Sequence, residues 1–353
     1  MRVVHMDSGL GNQMLDYAEY IAIRHVNSDG EMYLETAIYD IKSDHDGMIS
    51  QWNGYELQRI FGIDVPMLKD KVGTAAWNRI VMKTEQSRFW EQHWNYAPVI
   101  TKAINDEGYE LKNLQKNSSP NVVEEHLYKE LWWRRGITSF FRTYPGYMLK
   151  CGIKRAFQNN LISSENSKFD VFQIYPDNSF IGHSLELKYK GFGIERIDEE
   201  VRKAFQFGEI HDEKNKKALD DIRSCNSVAV HARRSDMLSV NWYCYKYGYF
   251  KRAVRYIKKH VDNPVFFFFC DEESRMWCQK NNDVFGLNEI RDNIQYITWN
   301  SGTESYRDMQ LMSECKHNIF TESSFGFWGA YLNNNPDKIT CAPDPMIIAT
   351  NWF

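Results

Sequence analysis

No apolar run in this chain approaches the ~20 residues that a membrane-spanning helix requires. The stretch Pro264–Cys270 ends long before that length, so the expectation is a soluble or at most peripheral protein. Charge of one sign is also scarce, with 43 Lys and Arg against 47 Asp and Glu for a net charge of −4. A dedicated nucleic-acid binder carries a basic excess, so no nucleic-acid partner is expected. None of the seven cysteines forms a Cys-x-x-Cys pair. With an odd count and no secretory leader read at Met1, they are expected to be reduced thiols in a cytoplasmic protein, where the Asn117-Ser-Ser sequon stays idle. What the chain does have is size: 353 residues with 43% apolar content can bury two cores.

The most informative stretch is Val228-Ala-Val-His-Ala-Arg-Arg-Ser-Asp236. A short apolar strand ends abruptly in His231, Arg233, Arg234 and Asp236, and in an α/β sheet the carboxyl end of a strand is where ligands bind. Arginine is almost never fully buried without a partner. The planar guanidinium forks suit phosphate or pyrophosphate; the other reading is a structural Arg–Asp ion pair.

The first thirty-five residues read as strand, turn, helix and strand. Arg2–Met6 and Met32–Glu35 are the strands, Asp7-Ser-Gly-Leu-Gly-Asn the turn, and Met14, Ala18, Ile21 and Ala22 share one helical face. Glycines there let backbone approach an anion at the helix start. A dinucleotide-binding oxidoreductase, with Glu35 as its ribose acid, is a rival reading, although Met14 fills the third small-residue slot of that fingerprint. The carboxyl-terminal third alternates more clearly. Strands are expected at 265–269, 294–298, 317–321 and 338–342, with helices at 273–281, 304–315 and 325–332. Such alternation implies a parallel, doubly wound sheet. Ser323 and Ser324 fall at a helix start, where serine commonly caps.

These residues carry a resemblance to a known family. Ser8-Gly-Leu-Gly-Asn-Gln-Met with Tyr17-Ala18 resembles the opening signature of the bacterial α-1,2-fucosyltransferases. Tyr55–Ile63, His231-Ala-Arg-Arg-Ser-Asp, Asp308–Ile319, Ser323–Asn333 and Asn335-Pro-Asp-Lys-Ile resemble the blocks that follow, in the same order. The chain departs from the pattern at Ser235, at Leu15-Asp16, at Ile181-Gly-His-Ser-Leu-Glu and at Phe327, which puts the acceptor and, less so, the sugar in question. The resemblance implies a GT-B fold of two Rossmann-like domains facing a cleft, here 1–215 on the acceptor side and 216–353 for the GDP-sugar. It implies an inverting, metal-independent glycosyltransferase that moves L-fucose from GDP-fucose to a galactose-type hydroxyl in α-1,2 linkage, for bacterial surface polysaccharide such as O-antigen. No cofactor is implied beyond the donor substrate.

By that resemblance His231 and Asp308 hold guanine, and Ser323 and Ser324 hold phosphate. Charge on the departing pyrophosphate needs fixed donors or a cation. Arg233 and the amides of Gly11, Asn12, Ser324 and Phe325 are the expected donors. The only Asp-x-Asp, Asp44-His-Asp46, reads as a solvated loop, so no metal residue is assigned. Asp236 is the candidate general base, with orientation of Arg234 as its other reading and Asp16 and Glu322 as further candidates. Two alternatives stay open: transfer of another GDP-activated sugar, and a non-catalytic nucleotide- or glycan-binding protein.

Residues 90–160 read as a helical insertion. Within it, 129–155 holds seven basic residues, one acid and interleaved aromatics. Packing on the first domain is one reading; contact with anionic lipid or a lipid-linked glycan at the inner membrane face is the other.

Overall fold

Two parallel sheets organise the computed structural model, which describes residues 1–353 except 43–46, 48, 93, 115–139, 141–142, 157–170, 233, 235–237, 289 and 291. The chain divides into two units: Met1–Tyr147 with Ile162–Leu187 and Gly191–Ala204, and Met148–Leu161 with Lys188–Lys190 and Phe205–Phe353.

In the first unit, strands β1 (Arg2–His5), β2 (Met32–Glu35), β3 (Lys112–Asn113) and β4 (Ser179–Ile181) form one sheet in the order β2-β1-β4-β3. All three pairings are parallel. β1 is buried along its whole length, as a central parallel strand covered on both faces must be. Helix α1 (Leu10–Val26) follows the glycine turn and buries Met14, Ala18 and Ala22 completely. Helices α2 (Thr74–Gln86) and α3 (Tyr96–Asn105) pack together. Trp77, Ile80, Tyr96, Ile100 and Ile104 join Val3 and Phe180 in one core. Residues 96–105, within the stretch read as a helical insertion, thus contribute to the core of the first unit.

The second unit opens with α4 (Glu213–Arg223), capped by Asp212, whose side chain accepts from the Asn215 amide. There follow β5 (Asn226–His231), α5 (Leu238–Lys246), α6 (Tyr249–His260), β6 (Pro264–Phe269), α7 (Glu272–Lys280) and β7 (Asn293–Ile297). Then come α8 (Tyr306–Glu314), β8 (His317–Phe320), α9 (Ser324–Tyr331), β9 (Thr340–Ala342) and β10 (Asn351–Trp352). The sheet order is β10-β9-β8-β5-β6-β7 and each pairing is parallel. Counted from β5, this is the 3-2-1-4-5-6 order of a dinucleotide-binding Rossmann sheet run in reverse, with its topological switch between β5 and β8. The unit division falls after Ala204, ahead of the boundary expected at 215, because α4 packs on β5 and α8 and belongs with their sheet.

All seven cysteines are free thiols. Among the described residues no helix is long and apolar enough to cross a membrane.

Candidate active site

The switch point lies between the carboxyl ends of β5 and β8, where the register sets His231 beside Phe320. His231 is buried at the end of its strand. The first turn of α9 is pressed against it: a Cβ on Gly326 would stand 2.6 Å from His231 Nδ1 and 3.0 Å from Phe320 Cβ. Only glycine admits that approach. The Phe325 ring lies 5.6 Å from the imidazole, centroid to centroid. Ser323 occupies the N-cap position of α9 with extended backbone, yet its side chain makes no capping hydrogen bond. The Ser324 and Phe325 amides head this helix, where the intrahelical ladder supplies no acceptor and the helix dipole favours an anion. The structure thus brings His231, Ser323, Ser324 and Phe325 to one place.

The same edge holds buried polar atoms with no hydrogen-bond partner, Thr321 Oγ1 and Asn241 Nδ2. Asn241 Oδ1 accepts from the Glu322 amide at 3.3 Å. The Glu322 carboxylate accepts from Tyr243 at 2.7 Å and Tyr189 at 3.3 Å, so two tyrosines hold it.

Asp308 stands in the first turn of α8, partly buried. Asn300 Nδ2 donates to its Oδ1 at 2.7 Å, and Asn215 Oδ1 accepts from Asn300 and from Trp299. Burial pushes the Asp308 carboxyl up to about 7, opposed by the Asn300 hydrogen bond. Asp308 is thus tied through Asn300 to the polar segment that follows β7.

The two arginines differ. Arg234 stacks its guanidinium over Trp277 at 3.4 Å from the ring centroid, with Tyr245 at 5.2 Å. It is committed to aromatic faces of its own unit. Arg233 and Asp236, the expected catalytic pair, lie outside the described residues, as do Asp44 and Asp46.

Gly11 and Asn12 belong to the first unit, in the opening turn of α1. The Asn12 amide already donates to Gly9 O at 2.9 Å, so its place as a backbone phosphate donor is taken by the helix turn. The preceding turn is tight: Ser8 has φ +65°, a left-handed conformation costly for any side chain but glycine. Gln13 and Tyr39 donate to Ser8 O, and Ser8 Oγ donates to Asp7 Oδ1 at 2.6 Å. Glu35 is wholly buried; it pairs with His5 Nδ1 at 2.7 Å and accepts from the Ala37 amide and Tyr96. A ribose could not reach it, which removes the acid that the dinucleotide reading needs. Sequence reasoning passed over His5, Asp7 and His183, which meet at the carboxyl edge of the first sheet. The sequence signal was a His-x-Asp closing a buried strand.

The second unit therefore has a Rossmann-type sheet with a polar switch point, and the first unit is another parallel α/β unit. In comparison with known families, residues 180–347 match the model of glycosyl transferase family 11. The chain is 37% identical over 145 residues to an α-1,2-colitosyltransferase of Escherichia coli, covering 39% of this chain and 45% of that protein. It is 29% identical over 136 residues to the O-antigen biosynthesis glycosyltransferase WbnK of Escherichia coli, covering 36% and 41%. It is 25% identical over 163 residues to human galactoside α-(1,2)-fucosyltransferase 1, covering 41% and 43%. The aligned part spans less than half of each relative.

Proposed function

We propose that the chain is a glycosyltransferase that moves a 6-deoxyhexose, L-fucose first, from its GDP ester to a galactose-type hydroxyl in α-1,2 linkage with inversion. The observation that carries this reading is the switch point itself, with His231, Gly326 and uncapping Ser323 gathered inside the segment that matches family 11. In this reading Arg233 and the amides of Ser324 and Phe325 stabilise the departing pyrophosphate without a cation. Asp308 accepts from the N1–H and 2-amino group of guanine, which adenine cannot offer. Asp236 takes the acceptor proton.

A second donor is favoured by a specific finding. The 37% identical relative is named for colitose, which is fucose lacking its 3-hydroxyl. The sugar pocket then discriminates at one hydroxyl. The acceptor is a surface glycan, lipid-linked in our reading. Exposed Phe140, Tyr144, Met148, Leu149 and Ile153 at and along the helix Tyr144–Ala156 support a peripheral contact with the cytoplasmic membrane face. The rest of the aromatic–basic stretch, 129–139 and 141–142, lies outside the described residues.

The test is a thermal-shift screen of GDP, UDP, CDP and NAD, followed by transfer assays with GDP-fucose, GDP-colitose and GDP-mannose on β-galactosides, and NMR of the product linkage. GDP alone should stabilise, and the product should carry an α-1,2 bond. Stabilisation by UDP or NAD instead of GDP would overturn the donor assignment. GDP stabilisation without hydrolysis or transfer would make the chain a binding module.

A further inference from the structure

We propose that the first unit carries a divalent transition-metal site, with His5, Asp7 and His183 as ligands and Asp16, the second carboxylate, as the fourth. The proposal is independent of the donor assignment above. One ligand atom from each of His5, Asp7 and His183 lies within 4.8 Å of the other two. His5 Nε2 stands 3.3 Å from Asp7 Oδ2. His183 Nδ1 stands 3.9 Å from Asp7 Oδ1 and also 3.9 Å from Asp16 Oδ1. Around a tetrahedral zinc with bonds of about 2.1 Å, neighbouring donors sit roughly 3.4 Å apart. The observed spacings bracket that value, and 3.9 Å is too long for a direct hydrogen bond.

Asp16 supplies an independent observation. It is fully buried, and its Oδ1 has no hydrogen-bond partner. Oδ2 is committed to the Asp7 amide at 3.2 Å. A buried oxygen without a partner is costly, and it faces the gap between Asp7 and His183. A cation in that gap would satisfy it.

The surroundings are built as metal sites are built. A ligating imidazole ordinarily gives its other nitrogen to a carboxylate, which fixes its tautomer and direction. His5 does this with Glu35 at 2.7 Å, and Glu35 is held by the Ala37 amide and Tyr96. Parallel register causes the contact, because β1 and β2 pair with His5 opposite Glu35. Strand β4 pairs with β1 and delivers His183 to the same edge. Two imidazoles with carboxylates suit zinc, manganese or iron, and not the all-oxygen ions calcium and magnesium. Asp7 and His183 are partly exposed, at 20% and 15% of their side-chain surface. That leaves a coordination position for water or a sugar hydroxyl. Asp16 and His183 lie in two of the four places where the chain departs from the fucosyltransferase pattern.

Isothermal titration of the untagged, EDTA-stripped full chain with ZnCl2 and MnCl2 tests the proposal, with X-ray absorption on the loaded protein. One equivalent should bind, with imidazole scattering in the absorption spectrum. His183→Ala and Asp16→Asn should each weaken binding at least about tenfold, while a cooperative thermal transition and unchanged near-UV circular dichroism, read on the same samples, report that the chain is folded. If His183→Ala fails that check, His183→Gln replaces it. No binding, binding unchanged in both variants, or preference for calcium or magnesium would overturn the assignment.

Discussion

Replacing Asp308 by asparagine separates what this carboxylate costs the fold from what it does for the donor. Burial raises its carboxyl from the ordinary value of 3.8 to about 7. A group whose folded pKa is raised adds stability below the unfolded pKa and loses it as pH climbs through the folded value. For Asp308 that loss runs from about pH 4 to about pH 7. Above the window the buried carboxylate destabilises the unliganded protein, on the order of 2–4 kcal/mol after allowing for its partial exposure. The first turn of a helix returns only about 0.3–1 kcal/mol to an anion. Burial wins, so the Asp308→Asn protein should melt several degrees higher than the parent at pH 8, with the difference shrinking towards pH 4.

Donor affinity should move the opposite way. Two charge-assisted hydrogen bonds to guanine contribute about 1.5–3 kcal/mol each, part of which only offsets desolvation. A net loss of about 3 kcal/mol raises the donor KM roughly 100-fold and leaves kcat nearly unchanged, since guanine contacts are alike in ground and transition states. In the parent protein the donor KM should rise below about pH 7, as Asp308 gains a proton. Steady-state kinetics from pH 5.5 to 8.5 and melting curves on the same preparations give both readouts. A lowered melting temperature with unchanged donor KM would refute the guanine assignment and leave Asp308 a helix-end residue.

Gly326→Ala should displace His231 or push α9 off it, because the new methyl would stand 2.6 Å from Nδ1. Overpacking of this kind costs about 1–3 kcal/mol, and we expect GDP affinity to fall at least about tenfold by titration calorimetry; parental affinity would show that the close approach serves packing alone. Arg233→Ala should cut transfer roughly 100- to 1000-fold with an unchanged melting temperature. Arg234→Ala should instead lower the melting temperature, through loss of a guanidinium–Trp277 contact worth about 1–2 kcal/mol. An Arg233→Ala protein keeping more than about a tenth of its activity would remove that residue from the chemistry.

Much of the second unit is legible in sequence because its strands are buried on both faces. Val228–Val230 and Phe266–Phe269 read as continuous apolar segments, and the helices between them carry periodic stripes such as Phe250, Ala253, Val254 and Ile257. The start of α9 was legible through Ser323 and Ser324, whereas the Asp271 cap of α7 was not read from the sequence. The first unit was harder to read. β3 and β4 are two and three residues long, too short for a period to register, and β4 joins β1 across more than 170 residues of sequence.

The sequence by itself determined which residue types close each strand: His231 at the end of β5, Cys270 after β6 and Thr321 after β8. That follows from local physics, since a buried strand is apolar until it emerges and polar where it does. Only the tertiary structure decided the partners. Arg233 and Arg234 are the same residue type side by side, and Trp277, brought in by α7, assigns Arg234 to stacking. Glu35 occupies a ribose-binding position by sequence, yet parallel register spends it on His5. Asp16 and His183 are separated by most of the first unit's length, and they approach because β1 and β4 end at one edge beside the start of α1. Such encounters depend on which strands neighbour each other, and strand order is set by the packing of the whole core, which no local pattern records.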